Sequence, residues 1–261
     1  MNNKNNELDI FEIADAKLKS RLFVGTGKFA SNQIMKKVIE ISETEVVTVS
    51  MRRVNFNKIT ENILDYINIE KIKIMPNTAG ARDADDAIKL ARLAKATGIS
   101  NWIKLEVTPE PNYLLPDSIE TLKAAEILVK EGFYVFPYIE PDPILAKRLE
   151  EVGCAAVMPL GSPIGSNQGL KSIEMLEIII EQANVPVIID AGIGAPSDAA
   201  KAMELGASAV LINTALATAK NPYKIAEAFK LAVIGGREGY LAGLPPKKKK
   251  AEPSSPIIDF L

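Results

Sequence analysis

Eight short runs rich in β-branched and apolar residues, separated by longer stretches of helical period, constrain this fold more than any other feature of the chain. The first half carries LFVGTG from Leu22, EVVTVSM from Glu45, KIKIMPNT from Lys71 and NWIKLEV from Asn101. The second half carries YVFPYIE from Tyr134, AAVMPLG from Ala155, PVIIDAG from Pro186 and AVLINT from Ala209. Between Asp83 and Lys95, residues Ala84, Ala87, Ile88, Ala91 and Ala94 recur at three- and four-residue spacing, the apolar stripe of an amphipathic helix. Further helices are expected over 117–130, 142–150, 171–182 and 197–205, the last opening on a Ser197 or Asp198 cap. Strands alternating with helices demand a parallel sheet covered by helices. Eight such units in this length predict an α/β fold of the closed (β/α)8 TIM-barrel type, with an open doubly wound sheet as runner-up.

A chain of 261 residues, 47% hydrophobic and 25% charged, can bury one large core. The expected organisation is an N-terminal tail over 1–15, a barrel catalytic domain over 16–243 and a C-terminal tail over 244–261. A net charge of −2 offers no electrostatic footprint for nucleic acid or an anionic membrane. No apolar run reaches the roughly 18–20 residues that span a bilayer, and the polar start MNNKNNELDIFEIAD lacks the apolar core of a secretory signal. A cytoplasmic protein is expected, or a stromal one if the gene is plastid-borne. Cys154 is the only cysteine and histidine is absent, which rules out an intrachain disulfide and the Ser-His and Cys-His catalytic arrangements. Any acid or base is therefore Asp, Glu, Lys or Tyr, and Cys154 reads as a small buried residue.

NWIKLEV places a lysine and a glutamate two residues apart on one strand. Residues i and i+2 share a face, so Trp102, Lys104 and Glu106 point one way while Ile103, Leu105 and Val107 point the other. Read alone, such a strand is half exposed with its charges in water. In a barrel, inward polar residues near strand C-termini instead open onto the active-site mouth. Asp190 ends the run PVIID just before a glycine turn, Asn77 and Thr78 end the third strand, Glu140 the fifth, and Asn213 and Thr214 the eighth. The turns LGSPIGS, DAGIGAPSD and INTAL are rich in small residues, which let backbone N–H groups approach an anion at a helix start. A phosphorylated ligand is expected there. GTGK, at 25–28, fails the P-loop pattern because its spacing is wrong and Phe29 stands where Ser or Thr is needed.

A lysine at a barrel mouth can bind phosphate, pair with a carboxylate or form a Schiff base. A useful neutral fraction near neutrality requires its pKa to fall about three units from about 10.4, on the order of 4 kcal/mol. Burial beside Trp102 would push that way and an ionised Glu106 would oppose it.

The ordered set SRLFVGTGKF, RRVN, PNTAG, IKLEV, MPLGSPIGS, VIIDAGIG and SSP spans nearly the whole chain and resembles the thiazole synthases, barrel enzymes that make the thiazole phosphate half of thiamin. The resemblance implies that Lys104 forms a Schiff base with the ketone of 1-deoxy-D-xylulose 5-phosphate, and that Glu106 and Asp190 are the acid/base pair. Gly161, Ala191, Gly192, Asn213 and Thr214 match the positions that hold the sugar phosphate. It further implies sulfur from the C-terminal thiocarboxylate of a ubiquitin-like carrier protein, a C–N unit from dehydroglycine, no metal or organic cofactor, and a homo-oligomer, expected as a homotetramer. Two positions depart from the family pattern: Ala81 follows PNTAG where cysteine is common, and Asn167 interrupts the usual glycine after IGS. The rival readings are another Schiff-base barrel acting on a pentose phosphate, of the class I aldolase or pyridoxal phosphate synthase kind, and a non-catalytic phosphosugar-binding protein. The proline-bounded stretch PPKKKKAEPSSP reads as a solvated tail, with ordering over the barrel mouth on carrier docking as the alternative.

Overall fold

The computed structural model describes residues 9–50 and 62–253. The motifs RRVN at 52–55 and SSP at 254–256 lie outside the described residues. Two strands, β1 (Phe11–Ile13) and β2 (Ala16–Leu18), form an antiparallel hairpin. The expected boundary after residue 15 falls inside it. The alternating part follows: β3 (Leu22–Gly25), α1 (Asn32–Ser42), β4 (Val46–Ser50), a 3-10 turn (Ile63–Tyr66), β5 (Lys73–Asn77), α2 (Ala84–Ala96), β6 (Trp102–Leu105) and α3 (Ser118–Lys130). The second half contains β7 (Tyr134–Ile139), α4 (Pro143–Glu151), β8 (Met158–Pro159), α5 (Ile173–Gln182), β9 (Ile188–Ile189), α6 (Pro196–Glu204), β10 (Ala209–Ile212), α7 (Thr214–Ala217) and α8 (Pro222–Ala242).

Strands β3 to β10 pair in parallel in the order β8-β7-β6-β5-β4-β3-β10-β9. The two ends of that row meet through parallel bridges Val157–Val187 and Leu160–Asp190. There the Ile188 N–H donates to the Val157 carbonyl and the Asp190 N–H to the Pro159 carbonyl, at 2.9 and 3.0 Å. The sheet is thus a closed barrel, as the alternation of runs predicts, and the open-sheet runner-up is excluded.

Closure divides the apolar residues into two layers. Ile103, Leu105 and Val107 join the residues between strands and helices, whereas Trp102 joins Phe23, Met75, Phe136, Met158 and Leu211 inside the barrel. Aspartate side chains cap α2, α3 and α4: Asp83 accepts from the Asp86 N–H, Asp117 from Ile119 and Glu120, and Asp142 from Ile144 and Leu145. The expected Ser197 or Asp198 cap is corrected. Helix α6 already starts at Pro196, so Asp198 lies in its first turn and reaches back to the N–H groups of Gly194 and Ala195, at 3.0 and 2.9 Å. After Gly243 the backbone from Leu244 to Pro253 is exposed.

The hairpin closes the barrel's lower end. Phe11, Ile13 and Leu18 pack into the interior cluster, and Phe11 stacks on Phe23. In the turn, Asp15 accepts the indole N–H of fully buried Trp102 at 2.6 Å and pairs with Lys73 at 2.8 Å. A buried donor stripped of its acceptor costs about 1–3 kcal/mol. Asp15→Ala is therefore expected to lower unfolding free energy by about that amount, measured by urea denaturation, while leaving the opposite end of the barrel intact.

Candidate active site

Strand β6 ends one face of a cavity of about 870 Å³ at the C-terminal mouth of the barrel. Lys104, Glu106 and Asp190 line it together with Asn77, Ala191, Gly192, Asn213 and Thr214. Period-2 geometry turns Lys104 and Glu106 inward from β6, and the β8–β9 bridge brings Asp190 to the same point. The Lys104 Nζ lies 2.5 Å from Asp190 Oδ2 and 3.3 Å from Glu106 Oε1. All three side chains are buried, at 7%, 8% and 2% exposure.

Backbone contacts hold each group. The Thr78 hydroxyl donates to the Glu106 carbonyl and accepts the Glu106 N–H, both at 2.8 Å, while the Thr78 N–H donates to the Lys104 carbonyl. The Ala191 N–H donates to Asp190 Oδ1 at 2.7 Å. The ring that the Lys104 ammonium faces is Tyr138, 5.6 Å to its centroid, rather than Trp102. Trp102 shares the Lys104 face but its indole is directed to Asp15 at the opposite end and packs against the Phe136 ring at a tilt of 31°.

Burial opposes the Lys104 ammonium, but the charges of Asp190 and then Glu106 outweigh it and hold the amine above the ordinary lysine value. Burial, reinforced by Asp190 and opposed by Lys104, lifts the Glu106 carboxyl above the ordinary glutamate value. The free site therefore stores a charged amine beside a carboxyl disposed to accept a proton. Such a trio can deprotonate an amine, release it to attack a carbonyl and move a proton between neighbouring atoms. Burial alone pushes the Cys154 thiol up to about 12, consistent with an inert buried residue.

Not every polar strand end reaches the cavity. Thr78 is fully buried behind it, and Glu140 and Gly161 are outside its lining. Gly161 sits one layer back, donating its N–H to the Asp190 carbonyl at 2.9 Å, while Gly165 and Asn167 of the same loop reach the cavity instead. Thr26, Thr48, Ser50, Arg82 and Thr108 also line it and were not singled out from the sequence. Thr48 and Ser50 alternate at the end of β4, a period-2 signal that was available; Arg82 follows a turn and carried none.

A chain from the crystal structure of the Amycolatopsis orientalis BexX/CysO complex superposes with a TM-score of 0.82 at 30% identity, over 92% of this chain and 98% of that one. Mandelate oxidase, at 16% identity and a TM-score of 0.60 over 88% of this chain and 75% of that one, shares the fold alone. The family model described as "Thiazole biosynthesis protein ThiG" matches residues 12–256. The chain belongs to the thiazole synthase family. Thiazole synthase of Syntrophobacter fumaroxidans is 59% identical over 249 residues, 95% of this chain and 97% of that protein. Thiazole synthase of Clostridium acetobutylicum is 58% identical over 255 residues, 97% of this chain and all of that protein. The activity is thiazole synthesis in thiamin biosynthesis.

Both departures from the thiazole synthase motifs have a structural explanation. Ala81 is fully buried in a backbone bridge to Val107, a position that takes a small apolar side chain and does not touch the cavity. Asn167 has φ 52°, in the left-handed region that glycine and asparagine tolerate best, so the loop turns as it would with glycine. Gly192 is different: its φ is 72°, and a Cβ there would come 1.9 Å from Ser162 Oγ and 2.6 Å from the Ser162 backbone nitrogen. Gly192→Ala is expected to cost about 2–4 kcal/mol, the sum of left-handed strain and overpacking. Asn167→Gly should stay within about 1 kcal/mol of wild type in the same urea titration.

Proposed function

We propose that Lys104 carries thiazole formation as a Schiff base on the ketone of 1-deoxy-D-xylulose 5-phosphate. The observation that carries this reading is the Lys104 amine held between Asp190 and Glu106 at the base of the cavity. Substrate entry displaces one ion-pair contact, and the raised Glu106 carboxyl accepts a proton from the ammonium. The neutral nitrogen attacks the ketone carbon, the carbonyl oxygen leaves as water after taking up two protons, and a C=N bond replaces C=O. Loss of a proton from the neighbouring carbon to a carboxylate then turns the iminium into a neutral enamine, the step by which the carbonyl migrates along the sugar. Glu106 and Asp190 serve as the acid/base pair.

The phosphate is assigned to Ala191, Gly192, Asn213 and Thr214, with Gly161 shaping the loop from behind. Support comes from their place at the cavity wall after β9 and β10, where barrels commonly bind phosphate. Dehydroglycine supplies the C–N unit and a thiocarboxylated ubiquitin-like carrier supplies sulfur. The Amycolatopsis neighbour is a two-protein complex, which supports a protein partner here. The exposed residues Leu231, Ile234 and Leu241 on α8 support self-association, proposed as a homotetramer. No helix among the described residues is long and apolar enough to cross a membrane, in keeping with a cytoplasmic or stromal enzyme.

The protein is incubated with 1-deoxy-D-xylulose 5-phosphate, reduced with borohydride and mapped by peptide mass spectrometry. An adduct on Lys104 that is absent from Lys104→Ala is expected; sugar binding without an adduct would sink the mechanism. Because the folded amine has its pKa raised, neutral and mildly alkaline pH lie below it, where the small neutral fraction grows about tenfold per pH unit. The initial trapping rate should therefore climb from pH ~7 to ~9 rather than plateau. Turnover that requires thiocarboxylated carrier separates this reading from the aldolase-like rival.

A further inference from the structure

Tyr138 is fully buried inside the barrel, and its hydroxyl has no hydrogen-bond partner among the described residues. Leaving a phenol unpaired costs free energy, and the same interior accepts Phe23 and Phe136 at full burial. A phenylalanine at 138 would fill the same volume without that cost. The hydroxyl is thus paired in some other state of the site, and its surroundings identify which.

Strand register places Leu105 beside Pro137, so the next positions set Tyr138 next to Glu106, and the ring faces the Lys104 ammonium. Asp190 Oδ2 is another buried oxygen without a hydrogen bond from a neutral group; its close contact is the Lys104 Nζ at 2.5 Å. Burial, with the negative charges of Asp190, Glu106 and Glu140, keeps the hydroxyl protonated, hence a donor, far above neutrality.

The reaction removes the cation that this arrangement relies on. As the iminium loses a proton from the neighbouring carbon, the Lys104 nitrogen keeps one hydrogen and loses its positive charge, and one carboxylate takes up the proton. The other carboxylate is left buried without a counter-ion, which is costly unless a donor replaces it. We propose that the Tyr138 hydroxyl is a reserve donor that hydrogen-bonds Asp190 Oδ2 when the Lys104 nitrogen becomes neutral at the enamine stage. Tyr138 is in this sense a positioning residue, acting through Asp190. The inference rests on the Schiff-base reading of Lys104.

Wild type and Tyr138→Phe are incubated with 1-deoxy-D-xylulose 5-phosphate in D2O without a sulfur donor. Two quantities are read: the borohydride-trapped adduct, which reports the imine, and deuterium incorporated at the carbon next to it, which reports the enamine. Thermal unfolding is recorded alongside. The expected result is an equilibrium amount of adduct within about twofold of wild type, since the free ammonium and the iminium both carry the cation, deuterium exchange slowed about 10- to 100-fold, the effect of losing one charge-assisted hydrogen bond, and an unfolding midpoint equal or higher. Unchanged exchange would overturn the proposal, since the hydroxyl would then be idle. A parallel fall in adduct, exchange and unfolding midpoint would overturn it too, by assigning Tyr138 a packing role. Failure of wild type itself to trap or exchange would instead strike the Schiff-base reading.

Discussion

The hydrogen bonds that join β8 to β9 govern everything at the mouth of this barrel. In an open row of the same strands, β6 and β9 would lie on opposite sides of the sheet's middle, five pairings apart by the observed order. The Val157–Val187 and Leu160–Asp190 bridges close the row into a ring, and the carboxylate of Asp190 comes within 2.5 Å of the Lys104 amine. Both of those strands contribute only two residues to regular pairing, so the closure is carried by main-chain bonds from their flanking residues, including Asp190 itself. The residue proposed for acid/base chemistry is also part of the seam.

A barrel that buries an ammonium between two carboxylates accepts a desolvation cost that apolar side chains would avoid. The two ends of the interior divide this labour. At the base, the hairpin supplies apolar side chains and one carboxylate, Asp15, that satisfies Trp102 and pairs with Lys73, giving a stiff, fully bonded floor. At the mouth, hydrogen bonding is incomplete: Asn213 Oδ1 and the Tyr138 hydroxyl are buried without hydrogen-bond partners among the described residues, and Asp190 Oδ2 has only the Lys104 ammonium. Buried polar atoms left open beside a cavity are what a site looks like before its ligand completes the bonding. The loops after β8 and β9 lean on each other, with the Gly169 N–H donating to the Gly192 carbonyl at 2.8 Å, which braces this wall of the cavity.

Much of this was legible before any coordinates, for a physical reason. Parallel strands covered on both faces read as β-branched runs, and the eight runs located the eight barrel strands. The polar intrusions into those runs, Lys104 and Glu106 on one and Asp190 at the end of another, stood out because burial selects so strongly against charge. The hairpin was invisible by the same logic, since FEIADAKL is too short and too mixed to separate from a polar tail. Which aromatic ring faces Lys104 was also beyond reach: sequence spacing gives the shared face, but strand tilt in a closed barrel decides that Tyr138, two strand positions past Phe136, meets the amine while Trp102 meets Asp15.

The chain alone determined the alternation of elements, the inward face of the Lys104 strand and the absence of histidine chemistry, because these depend on periodicity and composition, which are local. The tertiary structure decided which polar strand ends converge. It turned Asn77, Asn213 and Thr214 into the cavity, left Glu140 outside it and Gly161 behind its wall, and brought Arg82 and Thr108 into the lining unannounced. Those outcomes depend on ring closure, shear and loop packing. All three are relations between residues far apart in sequence, which no local pattern encodes.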